Sequence, residues 1–221
     1  MAGFLDLPFE IRCVFYKQYL KDDNLIEMEM VCDLKSRRRR LGLRWPHKST
    51  VSPALLFINK EINAEAASIF YSINKFFFDD IDDLNALLRL MGPSKAQHLR
   101  HIGYQRLATT PQLEELVTHL TPAKFLTSLT ISHEMIDKKG WFRTHSAKQV
   151  VKLLAPLLEV VGETRKNEFD DKNDDVSGIV SIRATRWPMW YGRSWNRSDA
   201  VMQEAEAVDA EVKALVKELY G

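Results

Sequence analysis

The chain has 221 residues, of which 45% are hydrophobic and 28% charged, and its formal net charge at pH 7 is +1. We expect a single globular domain over residues 1–221, and the small charge excludes a protein drawn to nucleic acid or membrane by its overall field. Cys13 and Cys32 lie in apolar surroundings, which favours buried thiols and a reducing, intracellular location in cytoplasm or nucleus. With no signal-like start and no apolar run of about 20 residues, we expect no membrane partner.

The N-terminal part, residues 1–74, begins with a predicted helix. Asp6 is a good cap for that helix, and Pro8 would lie in its first turn, where a missing N–H has little effect. An apolar face follows at helical spacing. Such a face most often packs on the domain's own core, and a docking surface is the alternative. The face consists of Leu7, Ile11, Val14 and Phe15.

Alternation replaces the helical period after the first helix. Apolar residues at every second position from Ile26 to Cys32 predict a half-buried strand, and Leu41–Trp45 can form its antiparallel mate. The connection, Leu34–Arg40, would place four consecutive arginines at the tip of a hairpin. Ser52 and Pro53 then predict the start of a second helix. Its expected buried stripe is Leu55, Ile58, Ile62, Ala66 and Ile69.

Residues 75–198 alternate short apolar strands with helices. This alternation implies right-handed crossovers and a mostly parallel sheet. The first three strands recur about every 26 residues, as in leucine-rich repeats, but without a repeat consensus, so an ordinary open sheet is the alternative. The expected strands are Phe76–Phe78, Leu99–Tyr104, Ser128–Ser132 and Gly178–Ala184.

Residues 199–221 form a long closing helix, Asp199–Tyr220. Its apolar residues follow a heptad seam, and we expect the seam to pack on the domain itself rather than on a partner helix. The predicted fold class is therefore α/β, with α+β as the alternative. The seam consists of Val201, Ala205, Val208, Val212, Leu215 and Leu219.

The segment Leu5–Arg12, with the sequence LDLPFEIR, precedes a second block that contains Glu65-Ala66, Phe70-Tyr71, Asn74 and Phe76. In order and spacing this two-part pattern resembles the fungal F-box-like proteins, often called two-EXR domain proteins. The resemblance covers residues 4–105. It implies an adaptor, because in true F-box proteins a leucine–proline helix docks on the ubiquitin-ligase adaptor Skp1 and the C-terminal part holds a substrate. The corresponding F-box-like helix here carries Leu7, Pro8, Ile11, Phe15 and Tyr16.

A true F-box is a compact three-helix bundle, whereas the stretch 26–45 of this chain is typical of strands. The other F-box helices are not recognisable in the sequence, which argues against binding to a Skp1-type adaptor.

Two segments are candidate partner-binding sites. The arginine run and the nearby Arg44 could bind an acidic partner or phosphates, and a solvated hairpin tip is the alternative. In Arg186–Arg197, interleaved tryptophans and arginines are typical of protein interface hot spots, while stacking on bases or covering the sheet edge are alternatives. The candidate residues are Arg37, Arg38, Arg39, Arg40 and Arg44 in the first segment and Arg186, Trp187, Trp190, Tyr191, Arg193, Trp195 and Arg197 in the second.

No catalytic signature is present: the sequence lacks G-x-S-x-G, H-E-x-x-H, P-loop and G-x-G-x-x-G patterns. His98 and His101 have no further metal ligand nearby in sequence. We therefore expect no enzyme activity, cofactor, metal or small-molecule substrate. The predicted function is protein binding by an F-box-like adaptor or ubiquitin-ligase substrate receptor, and the alternative is a nucleic-acid or chromatin-associated module that uses the same arginines and tryptophans.

Overall fold

The computed structural model describes residues 3–22, 25–33, 38–43, 53–106, 108–132, 145–168, 176–183 and 199–220. Short 3-10 turns lie at Phe4–Asp6, Pro53–Phe57 and Val176–Gly178. No helix in these ranges has the length and apolar character needed to cross a bilayer. In chain order, the elements are α1 (Phe9–Leu20), β1 (Leu25–Asp33), β2 (Arg38–Leu43), α2 (Lys60–Ile73), β3 (Lys75–Phe78), α3 (Ile81–Met91), α4 (Pro93–Ala96), β4 (His101–Tyr104), α5 (Thr110–Leu120), β5 (Ser128–Ser132), α6 (Ala147–Glu168), β6 (Val180–Arg183) and α7 (Asp199–Tyr220).

The described strands form one six-stranded sheet in the order β2-β1-β3-β4-β5-β6. All neighbouring strands from β1 through β3, β4 and β5 to β6 pair in parallel, and β2 pairs antiparallel with β1. One continuous row of paired residues crosses the sheet, and all of its side chains are buried. The α/β prediction is therefore confirmed. The row is Ile26, Phe76, Ile102, Leu129 and Val180.

The helices lie side by side in chain order. α1 packs on α2, α3 on α5, α5 on α6, and α6 on α7. Because parallel neighbours in the sheet are also neighbours along the chain, right-handed crossovers place these helices on one face of the sheet. The layout is that of a short solenoid rather than of a doubly wound sheet, whose strand order reverses.

Several helix ends carry the residue types that favour them. The side chain of Asp80 accepts a hydrogen bond from the N–H of Asp82 and begins α3, which Gly92 ends with a positive φ of 67°. Before α6, the hydroxyl of Ser146 accepts from the N–H of Gln149 at 3.3 Å. These polar contacts satisfy backbone groups that a helix end leaves without partners.

The basic segment differs from the prediction. The sequence suggests a tip at Leu34–Arg40, but β2 begins at Arg38, and its first three residues pair with Asp33, Cys32 and Val31. Hairpin connections are usually short, and charged residues are well tolerated on a strand at the edge of a sheet, so the strand extends into the arginine run.

Two helices begin later than predicted. Pro8 precedes α1 instead of lying in its first turn, because a proline disfavours the α conformation in the residue before it. Asp6 caps the preceding turn by accepting from the N–H of Gly3 at 2.6 Å. α2 is capped by Asn59, whose side chain accepts from a first-turn N–H, and Ile58 is consequently exposed outside the helix. Ser52, the predicted cap, lies outside the described residues.

The closing helix α7 packs on its own domain, as predicted. Ala205, Val208 and Val212 are buried against the core, whereas Leu219 at the end of the seam is exposed. The carboxylate of Asp209 accepts a hydrogen bond from the N–H of Ile182 in β6 at 2.6 Å. α7 therefore covers the β6 edge of the sheet and satisfies one of its backbone donors.

Candidate interaction surface on the first helix

The inward face of α1 is held by a polar network. Nε and Nη2 of Arg12 donate to the two carboxylate oxygens of Glu65 on α2, and the hydroxyl of Tyr16 donates to Glu65 Oε2 at 2.9 Å. Arg12 is 9% exposed and Tyr16 is fully buried. Such a two-pronged, charge-assisted contact fixes orientation as well as distance. It therefore determines which face of α1 points inward.

The electrostatics of this network follow from its hydrogen bonds. The hydrogen bond from Arg12 holds the pKa of Glu65 below its usual value, against the opposing effect of burial. The hydrogen bond to Glu65 raises the pKa of Arg12. Burial, aided by the hydrogen bond to Glu65, raises the pKa of Tyr16 to about 12. At neutral pH the network is therefore an ion pair with a neutral phenol.

The same arginine anchors the chain that leads into α1. Nη1 of Arg12 donates to the carbonyl oxygens of Leu5 at 3.0 Å and Leu7 at 2.6 Å. The Phe4 ring packs edge-on against Tyr16 and Phe15, with centroid distances of 5.7 and 6.0 Å. Residues 4–7 are thereby tied to the helix and extend its surface.

The outward side of α1 is mostly apolar, and one exposed polar residue, Gln18, lies between Val14 and Ile11. The exposed fraction of its apolar side chains ranges from 41% for Phe15 to 65% for Tyr19, with Ile11 and Val14 between these values. At about 100° per residue they occupy one side of the helix from Val14 to Tyr19, and Tyr19 adjoins the polar network. We call Ile11, Val14, Phe15 and Tyr19 the α1 stripe.

Exposed apolar side chains are concentrated at this helix. Among the described residues, eleven large hydrophobic side chains are exposed, and six of them lie within one segment of thirteen residues. Single exposed apolar residues are ordinary, but a concentration of this kind in one segment favours an interaction site. The six are Leu7, Phe9, Ile11, Val14, Phe15 and Tyr19.

The prediction that the apolar face of α1 packs on the domain's own core is wrong. Of the five F-box-like positions, Leu7, Pro8, Ile11 and Phe15 are exposed, and only Tyr16 is buried. The physical reason is the salt bridge to Glu65, which turns the side of the helix that carries Arg12 and Tyr16 inward.

The other candidate residues fall into two groups, those that the structure describes and those outside the described residues. The backbone of Arg38, Arg39 and Arg40 lies in β2. Their role in binding stays a prediction. The remaining candidates lie outside the described residues: Arg37, Arg44, Arg186, Trp187, Trp190, Tyr191, Arg193, Trp195 and Arg197.

The face of the sheet opposite the helices carries a row that the sequence did not single out. Phe77, Gly103, Thr130 and Ser181 are paired in register across four strands. A Cβ at position 103 would lie 2.8 Å from Thr130 Cβ and 2.9 Å from the Phe77 ring, so only glycine lets these two side chains approach. Alternating strand positions could have revealed this row, but not its close packing.

The described residues offer little for catalysis. No group of three or more His, Cys, Asp or Glu side chains among them could hold a metal ion. Thr110 Oγ1 lies 2.9 Å from His145 Nε2, but Nδ1 of that buried histidine has no hydrogen-bond partner. The pair thus lacks the third group that orients the base in catalytic triads, and burial lowers the pKa of His145.

Two shallow depressions are lined by described residues. One of about 270 Å³ lies between α6 and α7, with Glu159, Glu163 and Tyr220 among its walls. The other, of about 320 Å³, adjoins Phe57 and Asn59 at the start of α2. The first has leucine and charged side chains in its walls as well, but both are open to solvent, unlike the enclosed clefts that hold most small molecules.

Comparisons of the chain with protein-family models, curated proteins and solved structures give no match.

Proposed function

We propose that this protein is a non-enzymatic protein-interaction module, an F-box-like adaptor that acts inside the cell, in cytoplasm or nucleus. The observation that carries the proposal is the α1 stripe, an exposed apolar surface on a helix whose inward side is fixed by Arg12, Tyr16 and Glu65.

The apolar side chains of the stripe contribute burial free energy only when a partner covers them. Burying a large apolar side chain contributes about 1.5–3 kcal/mol, and α1 leaves several of them in water. The intramolecular network on its other face prevents the helix from rotating them inward. A rigid apolar helix face, already oriented, binds with a smaller ordering penalty than a flexible segment.

The resemblance to F-box-like proteins supports an adaptor role. In that role, the leucine–proline helix would contact a Skp1-type adaptor, and the arginine and Trp187–Arg197 segments would hold a protein substrate for ubiquitin ligation. The same role requires no cofactor, metal or small-molecule substrate.

A pull-down from fungal cell extract with mass spectrometry tests the proposal. The wild-type chain is compared with Val14→Asp in the α1 stripe and with Leu90→Asp, a matched change at an exposed leucine on α3. We expect wild type and Leu90→Asp to recover a stoichiometric protein partner, and Val14→Asp to lose it. If wild type recovers no stoichiometric partner, or if Val14→Asp retains every one, the proposal is wrong.

A direct binding measurement with a purified Skp1-type adaptor refines the result. Binding by the wild type that is lost in the double variant Leu7→Ala/Pro8→Ala identifies a ubiquitin-ligase receptor. Absence of that binding, with another partner retained, leaves an adaptor of a different kind.

A further inference from the structure

We infer that the partner seated on the α1 stripe is a second copy of this chain, packed so that the two α1 helices run antiparallel. This inference rests on the proposed function, because it names the occupant of the same surface. Its support is the charge pattern on one flank of the stripe.

The flank carries one acidic and one basic side chain. Glu10 and Lys17 are both exposed and are seven residues apart, or about two helical turns, so they lie on the same side of α1. Neither forms an ion pair with another described residue. The stripe is therefore bordered by opposite charges at its two ends.

A twofold axis turns this pattern into complementarity. When the axis lies in the contact plane at right angles to the helices, it reverses the helix direction and keeps each flank on the same side. Glu10 of one copy then faces Lys17 of the second, and the reciprocal pair forms at the other end. Such an isologous contact uses one surface twice, as most homodimers do.

The apolar residues fit the same symmetry. When Ile11 faces Val14 of the second copy, the Glu10–Lys17 pairs are offset by two residues, about 3 Å along the helix. Long charged side chains span that offset easily. Apolar residues in the seam with charged pairs beside it are the pattern that sets orientation in paired helices. A parallel pair with its twofold axis along the helices would instead place the two charged flanks on opposite edges of the contact, where Glu10 and Lys17 could not pair with each other.

The size of the contact predicts a weak dimer. α1 is 12 residues long, or about 18 Å, and a single helix face of this length buries less than the roughly 800 Å² per partner of a standard interface. We therefore expect a dissociation constant on the order of 10 μM. A dimer this weak can exchange its second copy for another partner of the stripe.

Sedimentation equilibrium of the purified full chain from 1 to 200 μM tests the inference. We expect a concentration-dependent monomer–dimer equilibrium in the wild type and in Leu90→Asp. In Val14→Asp the dimer should weaken at least about a hundredfold, because a charge would be buried in the seam. Circular dichroism and thermal melting check that each variant is folded.

Charge reversal tests the antiparallel arrangement. Glu10→Lys alone places lysines opposite one another, and Lys17→Glu alone places glutamates opposite one another, so each should weaken the dimer about tenfold. An equimolar mixture of the two variants should restore association as a heterodimer, because every facing pair is then of opposite sign. Because the mixture contains the same two variants that were measured separately, misfolding of either variant would not produce this rescue.

Each outcome decides the inference. Dimerisation that depends on Val14 together with rescue in the mixture supports it. A wild type that stays monomeric to 200 μM, a dimer unaffected by Val14→Asp, or single reversals without rescue overturns it. A monomeric chain that nevertheless recovers another protein through Val14 leaves the proposed function intact, so the two failures are distinguishable.

Discussion

Helices α1 and α5 are similar in length and in apolar spacing, yet they face opposite ways. α5 buries Leu113, Leu116, Val117 and Leu120 against the core. α1 has the same three-and-four spacing at Ile11, Val14 and Phe15, but those side chains face solvent. The difference lies on the other face of each helix.

On α5 the polar side chains lie towards α3 and the solvent, for example Glu115, which pairs with Arg89 on α3 at 2.8 Å. On α1 the inward face contains Arg12 and Tyr16, which meet Glu65 on α2. Apolar periodicity thus defines a face of a helix, whereas a specific polar contact can decide the direction in which that face points.

The largest expected effect distinguishes the buried apolar residues of α5 from the exposed α1 stripe. Leu116→Ala should lower the free energy of unfolding by about 2–5 kcal/mol, because Leu116 is fully buried and leaves a cavity. Ile11→Ala should lower it by no more than about 1 kcal/mol, because Ile11 is 46% exposed and its removal leaves no enclosed cavity. Urea denaturation at a protein concentration below the expected dimer range measures both values. A large loss in Ile11→Ala would show that α1 packs inward.

Much of the fold was predictable because its determinants are local in sequence. The alternation from Ile26 to Cys32, the cap at Asp80 and the stop at Gly92 are each set within a few residues. Strands and helices in alternation then restrict the topology to a mostly parallel sheet. The pairing Ile26–Phe76–Ile102 follows from that topology.

The orientation of α1 was not predictable in the same way. It depends on Arg12 and on Glu65, which is 53 residues later in the chain. One indication was present: an arginine and a glutamate occupy central positions of two consecutive predicted helices. Pairing them would have required knowing that the two helices pack side by side, which is a property of the tertiary fold.

A smaller effect tests the polar anchor itself. Tyr16→Phe should lower the free energy of unfolding by about 1.5 kcal/mol, since it removes a hydrogen bond to a charged acceptor. Glu65→Gln should lower stability more, because it removes the partner charge of Arg12. Glu115→Gln on α5 is the matched control, and loss of its exposed ion pair should alter stability by at most about 1 kcal/mol.

The pH dependence of the anchor has a definite sign. The pKa of Glu65 is lower in the folded chain than its usual value of 4.5, because Arg12 donates to the charged carboxylate. Its stabilising contribution is therefore complete above the usual pKa and is lost as pH falls through the lower, folded-state value. The stability difference between wild type and Glu65→Gln should shrink over that acidic range in urea titrations. A difference independent of pH would contradict the role of the ion pair.

The smallest expected effect separates the α1 stripe from the arginine segment. The triple variant Arg38→Ala/Arg39→Ala/Arg40→Ala should change α1-mediated association less than about twofold, because apolar contacts are insensitive to charges outside the interface. If these arginines contact phosphates, as in the nucleic-acid alternative, the chain should bind an oligonucleotide with an affinity that depends on salt. Three contacts to a single-stranded oligonucleotide should weaken binding about twentyfold between 50 and 200 mM salt. Oligonucleotide binding that the triple variant or added salt leaves unchanged would exclude the alternative, and the α1 stripe would then account for association without the arginine segment.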